Sequence, residues 1–129
     1  MTARALADTS IFIADEAERP LDASRLPDQV AVSVITIGEL RAGVLAATDV
    51  VTRDRRLRTL TAALTLDPVP IDEAVADRWA TLRVLLRDRG LRMGLNDSWI
   101  AATAIALDVP VLTQDGGFPD VEPLRVIRV

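Results

Sequence analysis

The hydrophobic pattern changes period several times along the chain. Ala5-Leu6-Ala7 is a short apolar run that stops at Asp8 and predicts a buried strand. Thr9 and Ser10 are N-cap residue types, and Ile11–Ala14 supply the first turns of a helix. Pro20 and Pro27, with acids around them, mark a polar loop or short helix. Val30–Val34 is dominated by β-branched residues and predicts a second buried strand. From Thr36 the spacing turns helical, with Ile37, Leu40, Val44 and Leu45 recurring to about Ala47. Another helix is expected over Thr48–Leu66, with Leu57, Leu60 and Leu64 on one face and a charged stretch, Arg53–Arg58, on the rest.

Pro68–Ile71 reads as a short strand. Asp72 is placed to cap a long helix reaching about Arg89, lined on one side by Val75, Trp79, Leu82 and Leu86. Gly90 and Gly94 end it in a loop, and Asn96 is the expected cap of the next helix, which carries Trp99, Ile100, Ala104, Ile105 and Leu107. Pro110–Leu112 predicts a strand, Asp115-Gly116-Gly117 a turn, and Leu124–Ile127 a last strand. Strands separated by helices specify an α/β sandwich around a mostly parallel sheet. With no repeat, linker or low-complexity segment, residues 1–129 are expected to form a single domain.

Composition sharpens this picture. Half the residues (50%) are hydrophobic and 26% are charged, a globular balance. Aromatics are only 3%, so the core has to be built from Leu, Val, Ile and Ala. No apolar run approaches the roughly 18 residues of a membrane helix. Asp8 interrupts the only apolar run near the N-terminus, and Asp15, Glu16 and Glu18 follow, so no signal peptide is expected and the cytoplasm is the expected location.

The absences constrain the chemistry more. The chain has no His, Cys, Tyr or Lys, and all 15 basic residues are Arg. That excludes an imidazole base, a Ser-His-Asp triad, thiol nucleophiles, Schiff bases and the lysine of a P-loop. It also removes the usual zinc and copper ligands. The groups left for hydrolytic chemistry are carboxylates, working as an acid–base pair or holding a hard cation.

Asp8 follows the first strand, and Asp115 follows Val111-Leu112. Asp97 lies in the first turn of a helix, and Glu39 one turn into the helix after the second strand. Ligands of a parallel sheet bind beyond its carboxyl ends, so all four acids are candidates for one edge. Each also has an ordinary explanation. Asp8 suits a helix cap, Glu39 stands at capping-box spacing from Thr36, Asp97 suits the positive end of its helix, and Asp115-Gly116 is a common turn pair. Net charge is −4, which those four acids alone account for, so it argues neither for nor against a nucleic-acid partner.

Four segments in order tip the balance: Leu6-Ala7-Asp8-Thr9-Ser10, Ser33 through Leu40, Asn96 through Ala104, and Val111-Leu112-Thr113-Gln114-Asp115. Together they resemble the VapC-type toxins of the PIN-domain family, over nearly the whole chain. The resemblance implies a PIN-like α/β/α sandwich and a metal-dependent endoribonuclease using Mg²⁺, with Mn²⁺ as a substitute. It implies Asp8, Glu39 and Asp97 as core metal ligands and Asp115 as the fourth acid, with Gly117 where the family often has a polar residue. Ser10 is expected to orient ligands. The implied partners are an RNA substrate, a cognate antitoxin that lays a helix or tail into an apolar groove, and a second copy of the chain or a mixed oligomer with the antitoxin.

Arg92, in the loop before Asp97, is the expected phosphate contact, whereas Arg53–Arg58 reads as a solvated face paired with Asp49 and Asp54. Trp79 and Trp99, at helical spacing with aliphatics, are expected in the core rather than as base-stacking platforms. The alternatives are a PIN-type nuclease of RNA maturation or DNA processing, and a non-catalytic module keeping the fold. A phosphorelay receiver domain would need a lysine that the chain lacks.

Overall fold

The computed structural model describes residues 3–129; Met1 and Thr2, the first positions of the expected domain, lie outside the described residues. Four strands, β1 (Arg4–Ala7), β2 (Gln29–Val32), β3 (Val111–Thr113) and β4 (Val126–Arg128), form one sheet in the order β2-β1-β3-β4. Every pairing is parallel, with Ala7 beside Val32 on one side and Leu112 on the other. Five helices connect and cover them: α1 (Thr9–Glu16), α2 (Val34–Ala46), α3 (Val50–Leu64), α4 (Glu73–Arg89) and α5 (Leu95–Leu107). The α/β sandwich with a parallel sheet is as expected.

The main core joins Leu6 and Val111 of the sheet to Leu82 and Leu86 of α4 and to Ile100, Ala101 and Ala104 of α5, closed by Phe118, Val121 and Leu124. Alanines along α5 let its backbone lie close on β1 and β3. A second cluster of Leu40, Leu60 and Ala63, flanked by Phe12, Ile37 and Val44, ties α2 to α3 and α1. α4 ends at Gly90, whose φ of +65° is a left-handed cap that glycine adopts without strain.

Local details differ from expectation. β2 stops at Val32 rather than Val34, because the Ser33 side chain caps α2, its Oγ accepting from the Ile35 N–H at 3.0 Å. α2 therefore starts at Val34, and Thr36 is a buried residue inside it, which removes the capping-box explanation of Glu39. Only one bridge, Ser33 to Val69, replaces the strand expected over Pro68–Ile71: β2 has already turned into its helix, and Pro68 and Pro70 have no N–H to give. α5 starts at Leu95 with Gly94 at its cap, so Asn96 is a helical residue and not the cap. The last strand is shifted to Val126–Arg128, leaving Leu124 in the core below it.

Trp79 and Trp99 are half-buried rather than core residues. They stack face to face, ring centroids 4.4 Å apart and planes nearly parallel at 5°, on the seam between α4 and α5. The Arg53–Arg58 stretch, expected as a solvated face paired with Asp49 and Asp54, keeps the Asp54 pair but also braces α2. Arg53 and Arg56 each donate to a main-chain carbonyl at the end of α2, Ala47 and Gly43, at 2.8 Å. Arg58 pairs with Asp54, while Asp49 caps α3 by accepting from the Thr52 N–H. Among the described residues no helix is long and apolar enough to cross a membrane.

Candidate functional site

The connection reverses at β1. The chain leaves β1 for β2 on one side, and the later strand β3 pairs on the other. A parallel sheet opens a crevice at the carboxyl ends of strands at such a point. Asp8 is the residue that β1 delivers there. It occupies the cap position of α1 but makes no capping hydrogen bond, so its ordinary explanation fails. The residue is only 3% exposed, and its carboxylate is bound by hydroxyls: Ser10 Oγ donates to Oδ1 and Thr113 Oγ1 to Oδ2, each at 2.6 Å.

Burial raises the Asp8 pKa, partly opposed by these hydrogen bonds. Ser10 Oγ also accepts from the Gln114 N–H at 2.9 Å, and Thr113 Oγ1 from the Asp115 N–H at 2.8 Å. Two hydroxyls thus lock the start of α1 to the loop after β3, and fix Asp8 and Asp115 relative to each other. Ser10, expected to orient ligands, is placed against Asp8 Oδ1. Thr113 was not singled out by the sequence; its signal was its place at the end of an apolar strand two residues before an acid.

Glu39 reaches the crevice from α2. Thr9 Oγ1 lies 2.7 Å from Glu39 Oε1 and 3.1 Å from the Oγ1 of buried Thr36, so the residue next to Asp8 aims Glu39. Asp97 stands in the first turn of α5, half-buried. Its pKa is pushed up to about 6, first by burial and then by the charges of Asp115, Asp8 and Glu39. Asp115, Asp8 and Glu39 thus all lie near enough to Asp97 for their charges to act on it.

Asp97 and Asp115 meet across Gly117. A Cβ at Gly117 would stand 3.1 Å from Asp97 Oδ2 and 3.5 Å from Asp115 Oδ2, and the Gly117 N–H donates to Asp115 Oδ1 at 3.3 Å. Missing a side chain here leaves a gap between two carboxylates. Filling it is expected to act on metal use more than on folding. Gly117→Ala should leave the melting temperature within the small range typical of surface changes, because the crowded atom is the end of a half-exposed side chain. It should weaken binding of an added divalent cation severalfold, read by titration calorimetry; an unchanged titration would place any such cation elsewhere.

The donor set is all oxygen, which suits a hard divalent cation and no softer metal. Among the described residues, no three acids are already gathered closely enough to cage a metal. Two carboxylates about 5 Å apart repel by roughly 3 kcal/mol at an effective dielectric of about 20, a cost that a cation between them offsets. Mg²⁺ needs no such cage, since it keeps several waters and takes only one or two carboxylates directly. The acids therefore fit such an ion.

The PIN domain family model matches residues 5–123. The chain belongs to the PIN-domain family. Among curated relatives, this PIN domain is 49% identical to Ribonuclease VapC4 of Mycobacterium tuberculosis, over 95% of this chain and 97% of that protein. It is 44% identical to Ribonuclease VapC5 of the same organism, over 95% and 93%. Among solved structures, it superposes on a chain of the VapBC-5 toxin–antitoxin crystal structure from M. tuberculosis with a TM-score of 0.90, 42% identity and coverage of 98% and 99%. The family expected from the four sequence segments is thus the family found.

Proposed function

We propose that this PIN domain is a Mg²⁺-dependent endoribonuclease, the toxin of a toxin–antitoxin pair, acting in the cytoplasm and restrained by a cognate antitoxin. The observation that carries the reading is the setting of Asp97 at the carboxyl ends of β1 and β3, where burial, and then the charges of Asp115, Asp8 and Glu39, raise its pKa to about 6. Relatives named as ribonucleases support the activity, and a toxin–antitoxin structure supports the partner.

In this reading Asp8, Glu39 and Asp97 are the main metal ligands and Asp115 the outer one, with Mn²⁺ able to replace Mg²⁺. A divalent cation bound there supplies an activated water and neutralises charge on the scissile phosphate. The chain's own residues do the positioning. Ser10 and Thr113 hold both oxygens of Asp8, Thr9 holds Glu39, and Gly117 leaves the space between Asp97 and Asp115 open. Arg92 contacts a phosphate of the substrate.

Water, not the ribose 2′-OH, is the nucleophile, because no His or Lys is present to form an acid–base pair for 2′-OH attack. A groove of about 280 Å³, lined by Ile13, Glu16, Glu39, Leu40, Gly43 and Arg56, leads away from Glu39. It suits an antitoxin segment with an apolar face, and its contact with Glu39 lets an occupant silence the acids. A homodimer, or a mixed oligomer with the antitoxin, is the expected assembly.

Purified, partner-free protein should cleave RNA with Mg²⁺ or Mn²⁺ and stop in EDTA. Its products should carry 5′-phosphate and 3′-hydroxyl ends. Cyclic 2′,3′-phosphate ends, or cleavage indifferent to EDTA, would sink the proposal.

A further inference from the structure

We propose that a pocket at the end of α4 is a phosphate-binding subsite for the RNA strand beside the bond to be cut, an inference that rests on the ribonuclease reading above. The pocket, of about 270 Å³, is lined by Arg83, Leu86, Arg87, Leu91, Arg92 and Met93. Three arginines line one cavity and no acid does. Arginine presents a planar fork of donors that matches a phosphate in bidentate fashion.

The ordinary explanation covers only part of this. Arg87 and Arg89 complement the negative end of the α4 dipole. That accounts neither for Arg83, well inside the helix, nor for Arg92, beyond its end, both lining the same cavity. Among the described residues, neither Arg83 nor Arg92 makes an ion pair, and Arg87 has only its exposed neighbour Asp88, at 3.2 Å. An exposed pair of that kind is worth little and yields to a phosphate. Arg83 is also held in place, its guanidinium carbon 5.6 Å from the centre of the Trp79 ring.

The pocket adjoins the acids through the main chain. Met93 lines it, and the next residue, Gly94, is the point where an added Cβ would stand 3.7 Å from Asp97 Oδ2. Trp79, under Arg83, stacks on Trp99, two residues after Asp97. One RNA strand can therefore touch both places. The electrostatics need such a neighbour: the acids repel a polyanion, and a domain of net charge −4 offers no general attraction to it.

The test is the salt dependence of binding, read by fluorescence anisotropy of a labelled single-stranded RNA in EDTA, where no cleavage competes. Each lost phosphate contact lowers the log–log salt slope by about 0.7, so Arg87→Ala/Arg92→Ala should lower it by about 1.4 and raise Kd about tenfold. Arg87→Gln/Arg92→Gln, which keeps most of the packed stems, should do the same. The control is Arg55→Ala/Arg58→Ala, which removes the same charge from α3 and should leave the slope unchanged.

Equal losses in both pairs would reduce the effect to net charge and overturn the subsite. So would an unchanged slope in the α4 variants while the wild type binds and, with Mg²⁺, cleaves. A wild type that neither cleaves with Mg²⁺ nor binds RNA in a salt-dependent way would remove the nuclease reading itself, and the subsite with it.

Discussion

Asp97→Asn is expected to abolish RNA cleavage and, in EDTA, to make the protein more stable. The loss in rate should be on the order of 10²–10³-fold or greater, the scale on which removing charge stabilisation at a reacting centre acts. The gain in stability follows from the cost of burying the Asp97 charge beside three other acids. The Asp97 carboxyl is raised from 3.8 to about 6 in the folded state. A raised acid binds its proton more readily when folded. Stability therefore falls as pH rises through the window from about 4 to about 6, and the full penalty stays above it. Asparagine carries no such penalty.

Metal-free Asp97→Asn should thus melt above the wild type at pH 7.5, and the two should converge as pH falls toward 4. Because Asp97 is half-exposed, water screens part of the repulsion and the gap will be modest. Mg²⁺ should reverse the order, raising the wild type more than the variant. The structural alternative predicts the opposite sign. If Asp97 only favours the positive end of α5, removing its charge lowers the melting temperature. Thermal melts in EDTA across that pH range decide between them.

Phe118→Ala should cost about 3–5 kcal/mol of stability, the range for a truncated buried phenylalanine. For a domain of this length that is a drop on the order of 10–20 °C in melting temperature. Phe118 is among the largest fully buried side chains and packs in the main core with Leu6, Leu82, Leu86 and Ile100. It follows Gly117 directly, and its carbonyl accepts from Arg128 Nη2 at 2.5 Å. The loop that carries Asp115 and Gly117 is thus pinned to the core by one ring. At temperatures where Phe118→Ala is still folded, cleavage should fall as well, because Asp115 loses its anchor. A melting shift of only a few degrees would mean that the loop is held by Thr113 and the backbone alone.

Much of this was legible in the chain. The switch from short apolar runs to helical spacing located all five helices, and the β-branched or alanine-rich runs located the four strands. Both kinds of pattern report local periodicity, which survives without knowledge of distant contacts. The boundaries that moved did so for local reasons with distant consequences. Ser33 rather than Thr36 opens α2, which freed Glu39 from a capping role, and Gly94 rather than Asn96 precedes α5, which makes Asn96 a helical residue and leaves Asp97 in the first turn. Serine or threonine, and glycine or asparagine, are near-equal candidates for such positions, and the packing of the strand ends chooses between them.

Trp79 and Trp99 show the limit of periodicity. Their spacing marks a helix face, but whether that face meets the core or a seam depends on how α4 and α5 cross. Phe118 shows the reverse case: it sits in a Gly- and Pro-rich stretch with no periodicity at all, yet fills the core. Thr9 and Thr113 became visible as orienting groups only when their hydroxyls were found against Glu39 and Asp8.

By itself the sequence determined the kind of chemistry available: a chain with no imidazole, thiol or amine side chain, whose acids follow strands and open helices, is limited to oxygen ligands and hard cations. Only the tertiary structure decided that residues 8, 39 and 115 act on the charge of Asp97, and that Arg83, Arg87 and Arg92 line one cavity. The reason is the range of the forces involved. Periodicity is set by neighbours along the chain, whereas charge acts through space, and the parallel pairing of β1 with β3 brings residue 8 beside residue 113.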